Sequence, residues 1–328
     1  MSGDDPKDKA HLQPKTAEAI RDNLLNGVGY KRPPKQTQFQ PGRSGNPKGR
    51  PRAAVPDLSL AEQPALEAVL KASRMPVKIR EGDRVDLPAA TLKRIIEKTE
   101  FAISNEETRY YLNGIYLHMM AAEDGPMLCA VATDGHRLAL VQIIAPEGTD
   151  GMPGVIVPTK AVERLRAIAG SHEGDIAIEI SATKIRATAG ATVMTSKLID
   201  GTFPDYRRVI PRNNEKRLSV DRASLAAAVD RVSTIANEKG RAVKLDIEDE
   251  RLTLKVNNAD AGSAEETLDV SFSGDPMVIG FNGSYLKDIL EVIACQEVDI
   301  RLGDVGSPAL VTNPLDRQVE LVIMPMRV

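Results

Sequence analysis

Tryptophan is absent from this 328-residue chain, and aromatic residues make up only 3% of it. Any core must therefore rest on Ile, Leu, Val, Ala and Met, and no aromatic row is present on which successive bases of a single strand could stack. Two cysteines, Cys129 and Cys295, are too few for a disulfide framework and stand in no metal-ligand spacing, which fits a reducing cytosol. His11, His118, His136 and His172 fall in unrelated contexts, so no zinc site is read and no cofactor is expected. There is no phosphate-cradling glycine loop, no His-Glu-x-x-His and no nucleophile elbow. No apolar run of about 18 residues is available to span a membrane, and Met1–Asp5 carries no signal core.

What is present is unevenly distributed. Net charge is −3, yet residues 1–60 carry eleven Lys and Arg against six acids, which leaves −8 on the remainder. The tract Lys31–Arg52 is dense in Pro, Gly and basic residues and contains no acid. Such a tract cannot bury enough apolar surface to offset the entropy of ordering, so residues 1–86 read as a largely disordered basic region. Two short helices are expected within it, near 15–25 and 60–73. Lys31–Arg52 fits a flexible nucleic-acid tether, or else a solubilising linker.

From Leu87 onward the pattern changes. Period-two alternation marks strands at Asp175–Ile180 and Arg251–Val256, and four short amphipathic helices lie among such strands. The first follows Leu87-Pro88 and buries Leu92, Ile95 and Ile96. The second follows Val157-Pro158 and buries Val162, Leu165 and Ile168. The third follows Val220-Asp221 and buries Leu225, Val229 and Val232. The fourth follows Phe281-Asn282 and buries Leu286, Ile289, Leu290 and Ile293. Helix and strands alternate in the same order over 87–208 and again over 209–328. The fold class is α+β: two tandem modules, each with two helices on one side of an antiparallel sheet.

Four segments carry a more specific signal: Arg109–Gly114, Val131–Ala139 with its Thr133-Asp134-Gly135-His136 turn, Asp200–Pro211 and Met324–Arg327. Weaker ones are Ser196–Leu198, Asn237–Lys239 and Phe281–Tyr285. In this order and spacing, over about 85–328, they closely resemble the bacterial beta sliding clamp, the processivity ring of the replicative polymerase. The resemblance covers that family's second and third domains. Residues 1–86 do not resemble its first; Gln38–Pro51 instead resembles an uncharacterised domain met in phage and mobile-element proteins.

The resemblance implies a non-enzymatic platform that encircles double-stranded DNA without reading sequence. Its implied partners are a clamp loader, DNA polymerase and other replication and repair proteins that dock short linear peptides bearing Leu and Phe anchors. Further copies of the chain would complete a homo-oligomer, and the location would be cytoplasmic, on the nucleoid. The implied peptide groove draws apolar lining from Leu112, Thr133, Leu138, Pro204, Val209, Val322, Met324 and Met326. Gly135, His136, Arg137, Arg208, Asn282, Tyr285, Pro325 and Arg327 complete it. Methionine suits a groove with several clients because its side chain is polarizable and adaptable. The implied DNA-facing set lies on the helices: Lys93, Arg94, Lys98, Lys160, Arg164, Arg166, Arg222, Arg231 and Lys287. Asp134 and His136 could also be read as a catalytic pair, but a tight turn between strands accounts for them more simply.

Two functions follow from a clamp without its first domain. Two-domain protomers could assemble differently, as three copies supplying six domains. Alternatively, a truncated regulator or decoy would keep the groove, bind clamp-partner peptides or a host clamp, and never encircle DNA.

Overall fold

The computed structural model describes residues 84–123, 125–236 and 241–327. The basic segment, the two short helices expected in it and the Asn237–Lys239 motif lie outside them. Within the described chain one motif, strand–helix–three strands, occurs four times. The first copy is β1 (Arg84–Pro88), α1 (Ala89–Thr99), β2 (Gly114–Ala122), β3 (Gly125–Thr133) and β4 (Arg137–Ile144). The second is β5 (Val155–Pro158), α2 (Thr159–Ser171), β6 (Asp175–Ile180), β7 (Lys184–Ala189) and β8 (Thr192–Lys197). The third is β9 (Lys216–Asp221), α3 (Arg222–Ser233), β10 (Ala242–Glu248), β11 (Arg251–Asn258) and β12 (Gly262–Asp269). After a short strand β13 (Ser271–Ser273), the fourth is β14 (Met277–Asn282), α4 (Gly283–Val292), β15 (Glu297–Leu302), β16 (Ala309–Asn313) and β17 (Asp316–Ile323).

The four helices begin where the sequence places them, each directly at the end of a strand. Pro88 and Pro158, which have no amide N–H to carry a sheet ladder further, end β1 and β5 and precede α1 and α2. Asp221 and Asn282 cap α3 and α4 through their side chains. Asp221 accepts from the Ser224 amide at 2.7 Å, and Asn282 accepts from the Ser284 amide at 2.9 Å. The expected apolar faces are buried: Leu92, Ile95 and Ile96; Val162 and Leu165; Leu225, Val229 and Val232; Leu286, Ile289 and Leu290. Ile168 is only partly buried, and Ile293 is buried just past the end of α4.

The motifs interlock in pairs. Each leading strand leaves its own motif and joins the sheet of its neighbour: β1 pairs with β6, β5 with β2, β9 with β15 and β14 with β10. The first amide of each helix then donates to the carbonyl just ahead of the neighbour's sheet: Ala89 to Gly174, Thr159 to Asn113, Arg222 to Gln296 and Gly283 to Arg241, at 2.8–3.1 Å. These bonds satisfy amides that a helix start otherwise leaves without partners. Two motifs exchanged in this way make one domain, so neither half can close its core alone.

The helices lie on antiparallel sheet in each module as expected, and the sheet order adds how the modules share it. Strands of both domains run together in one nine-stranded sheet, β13-β9-β15-β16-β17-β4-β3-β2-β5, flanked by two four-stranded sheets, β1-β6-β7-β8 and β12-β11-β10-β14. The seam is the antiparallel ladder of β4 and β17, with Leu138 opposite Val322, Ala139 opposite Leu321 and Val141 opposite Val319. Alternation along a strand shows which faces are apolar but not which edges pair, so this continuity was hidden.

The seam is buried on both faces. On the helix side Ala139, Val141, Val319 and Leu321 join the main core. On the other side Leu138, Leu140 and Val322 form a second core with Leu112, Val131, Phe203, Tyr206 and Ile210. Phe203, Tyr206 and Ile210 come from the connector between the domains, which folds back over the seam.

Polar contacts reinforce it. Arg94 donates to Asp316 at 2.6 Å and to Gln318 at 2.9 Å, and Lys98 donates to the Val292 carbonyl that ends α4. Arg137 carries the most. Its guanidinium lies 4.4 Å from the Tyr285 ring and 5.3 Å from the Phe101 ring while pairing with Asp134 and Asp288. Arg137→Ala should lower stability by about 1–3 kcal/mol in urea unfolding, through the lost cation–π contacts and the lost ion pairs to Asp134 and Asp288. Arg137→Lys should restore little, because an ammonium cannot lie flat between rings and pair in two directions. An unchanged midpoint would mean that the ladder alone holds the seam.

Candidate functional site

Over the second core the surface opens into a cavity of about 290 Å³. Four segments converge there: the 3₁₀ turns Glu107–Leu112, the β3–β4 turn, the connector around Pro204–Val209 and the end of β17. Each is one of the motif segments singled out in the sequence. Leu112, Leu138 and Val322 are buried beneath the opening, and Val209 stands exposed at its edge.

The β3–β4 turn is rigid for reasons visible in its bonds. Asp134 Oδ1 accepts from the amides of His136 and Arg137, and Thr133 Oγ1 accepts from the Gly135 amide while donating to the Arg137 carbonyl. Gly135 holds φ near +91°, and a Cβ there would sit 2.7 Å from Arg109 Nη1. Asp134 is therefore committed to its own turn and to Arg137 rather than poised as a base. The Met324 amide donates to the His136 carbonyl at 2.8 Å, docking the chain end against the same turn.

The expected groove residues divide accordingly. Leu112, Thr133, Gly135, Arg137, Leu138, Pro204, Val209, Val322 and Met324 line the cavity. Met326 does not line it; its amide donates to the Gly280 carbonyl and fixes the chain end beside β14. Asn282 is spent as the cap of α4, and Tyr285 supports Arg137 from behind. His136 faces Tyr285 with ring centroids 6.1 Å apart. Arg208 is exposed and paired with Asp205, Arg327 is exposed, and Pro325 is half-buried beyond the rim. Four lining residues went unnamed in the sequence reading: Arg109, Tyr111, Asp205 and Tyr206. All four lie inside motif segments, so their neighbours were the available signal.

Beneath the cavity is a buried polar chain. His118 Nε2 meets the Tyr206 hydroxyl at 2.9 Å, and Tyr116 stacks between His118 and Phe203. Burial pushes the His118 imidazole below its ordinary value, raises the Cys129 thiol to about 11 and pushes the Tyr206 hydroxyl up.

The helices run as a continuous series, because α1 packs on α2, α3 packs on α4, and Lys98 of α1 reaches the end of α4. Of the expected DNA-facing cations, three hold the fold together. Arg94 and Lys98 bridge the seam, and burial lowers the Lys98 pKa; Arg222 donates to the Cys295 and Leu290 carbonyls. Arg166, Arg231 and Lys287 pair with Glu100, Glu266 and Asp230. Lys93 makes a loose 3.7 Å pair with Glu97. Lys160 and Arg164 are exposed and form no ion pair among the described residues. Among those residues no three His, Cys, Asp or Glu side chains converge as a metal site, and no helix is long and apolar enough to cross a membrane.

Family profiles match this architecture domain by domain: the central domain of the DNA polymerase III beta subunit over residues 86–205, and its C-terminal domain over 207–327. The chain belongs to the DNA polymerase III beta subunit family. A family of unknown function also matches residues 35–100. The beta sliding clamp of Caulobacter vibrioides is 48% identical over 262 residues, covering 79% of this chain and 70% of that one. The Escherichia coli beta sliding clamp is 41% identical, covering 74% and 64%. A crystal structure of a sliding clamp from Bartonella birtlesii bound to griselimycin matches with a TM-score of 0.75 and 51% identity, over 77% of this chain and 68% of that one.

The buried imidazole gives a pH signature. Its folded-state pKa lies below the unfolded value near 6.5, so the unfolded chain takes up this proton first as pH falls. Stability from His118 is therefore present above about 6.5 and declines below it. His118→Gln should narrow the difference in melting temperature between pH 7.5 and pH 5.5. An undiminished difference would assign the acid sensitivity to other groups.

Proposed function

We propose that the chain is a DNA sliding clamp, a non-catalytic platform that holds polymerase and other replication and repair proteins on duplex DNA through the cavity at the domain seam. The observation that carries this reading is the convergence of all four motif segments on one rigid, apolar-floored opening in a member of the clamp family. Domain limits follow the modules, 87–208 and 209–328. The series of helices would face the DNA, with Lys160 and Arg164 exposed and without an ion pair among the described residues, Lys93 only loosely paired, and Arg166, Arg231 and Lys287 exposed but paired with acids. Weak, sequence-blind attraction of this kind is what sliding requires. The location would be cytoplasmic, with a clamp loader placing the protein on DNA. No cofactor enters the proposal.

The opening takes an extended peptide with Leu and Phe anchors. Met324→Ala should weaken binding of such a peptide roughly tenfold, as expected for about 1–2 kcal/mol of lost apolar contact. Met326→Ala should have a much smaller effect, since Met326 is not among the residues that line the cavity. Equal effects in a fluorescence titration would move the peptide off this cavity.

A working ring must also be retained on closed DNA. Loaded protein should stay with circular duplex during gel filtration and be released when the circle is cut. Equal loss from both forms would leave the decoy reading, in which peptides bind but DNA is never encircled.

A further inference from the structure

The buried polar chain beneath the cavity has a definite proton arrangement. His118 Nδ1 lies 3.0 Å from the Met119 carbonyl, which can only accept, so Nδ1 carries the proton of the neutral ring. Nε2 then presents a lone pair, and the Tyr206 hydroxyl at 2.9 Å donates to it. The same hydroxyl hydrogen-bonds the Cys129 thiol, and Cys129 stands directly across the β2–β3 ladder from His118. All three side chains are buried, so bulk water does not replace a lost partner.

Tyr206 belongs to this chain and to the cavity alike. It lines the opening together with Pro204, Asp205 and Val209 of the same connector. Its carbonyl accepts from the Val209 amide at 3.1 Å, which ties its position to the exposed edge of the opening. Its ring tilts against His118 with centroids 5.6 Å apart, and His118 continues a stack through Tyr116 to Phe203. A change at His118 therefore reaches the cavity wall through one side chain.

Protonation reverses the chain. An imidazolium has two N–H donors and no acceptor, so Nε2 would donate to the Tyr206 oxygen and turn the phenolic proton toward Cys129, a weak acceptor. The groups around the ring give the new charge little support. Its own strand contributes Tyr116, β3 contributes Cys129, and the connector contributes Tyr206 and Arg207, whose charge acts against a second cation. Glu320 of β17 acts on Cys129 and Tyr206, but Arg212 already engages it at 2.7 Å. A buried cation so placed is relieved by admitting water, which requires the connector to loosen. A peptide seated on Tyr206 and Val209 holds the connector down and keeps water out.

We propose that His118 is a positioning residue for the cavity: its neutral ring sets the connector wall through Tyr206, and a seated peptide favours that form over the protonated one. Occupancy and protonation then oppose each other, and each weakens the other by the same factor. The inference rests on the peptide reading of the cavity and deepens it to a dependence of client binding on acidity. Because the ring in the folded protein titrates below 6.5, the effect is absent above about that pH and grows as pH falls.

The test uses the full chain and a Leu-Phe peptide without His, Asp or Glu, titrated between pH 7.5 and pH 5.0. Ring-labelled histidine is followed by NMR in the same samples, with the His118 signal assigned from its loss in His118→Gln. Wild-type affinity should be constant above about pH 6.5 and fall roughly three- to tenfold by pH 5.0, and saturating peptide should move the His118 titration to lower pH. His118→Gln, whose amide oxygen can accept from Tyr206, should lose the pH dependence and bind more tightly at pH 7.5 than His118→Leu, which leaves that hydroxyl without its acceptor. Tyr206→Phe should raise the His118 titration even without peptide, since the donated bond favours the neutral ring. A pH dependence that survives in His118→Gln, or a His118 titration unmoved by saturating peptide, would overturn the coupling while peptide binding at pH 7.5 keeps the cavity reading intact. Equal affinities of the Gln and Leu variants would overturn the positioning role. A wild-type protein that binds no peptide at pH 7.5 would fail the cavity reading itself, and the coupling with it, whatever Tyr206→Phe does to the His118 titration.

Discussion

Everything about this molecule hangs on strand exchange. A strand that leaves its own motif to complete a neighbour's sheet makes two incomplete halves into one closed domain, and the helix-start amides lock the exchange at four equivalent points. With almost no aromatic residues to fill volume, the core consists of many small aliphatic contacts, each worth only about 1–3 kcal/mol. Such a core depends on register, because one slipped strand would displace a whole row of side chains.

The same device then joins the domains. The β4–β17 ladder makes a continuous sheet of two halves, and sealing both of its faces requires apolar residues from outside the repeat. The connector supplies them with Phe203, Tyr206 and Ile210, and the cavity is the space left where this cover meets the β3–β4 turn. A linker that elsewhere would be a flexible tether is here part of a core. The arrangement explains why Arg137, which opens β4 and faces the cavity, also contacts residues of both domains.

Much of this was legible in the chain. The four helices were marked by their strand-ending Pro, Asp or Asn and by three apolar positions on one face, and each was found there. The cavity was legible as a set of segments, and nine of the groove residues expected from the resemblance line it. What could not be read was who pairs with whom. Met326 was expected in the groove with Met324, yet only Met324 lines the cavity, while the Met326 amide donates to Gly280. Arg94, Lys98 and Arg222 look like surface cations on amphipathic helices, yet their nearest acceptors lie on distant parts of the chain. Charge and periodicity are local properties, whereas these contacts arise from the order of strands in a sheet.

The connector's place over the seam has a thermodynamic consequence. Because the cavity walls come from both domains and from the segment joining them, a ligand seated there gains contact only while the seam is closed. Its binding energy is then also energy that opposes opening of the seam, and by reciprocity any strain that pries the domains apart must weaken the ligand's hold. Occupancy and mechanical integrity become one coupled equilibrium, so a tethered client would act as a splint on the platform that carries it.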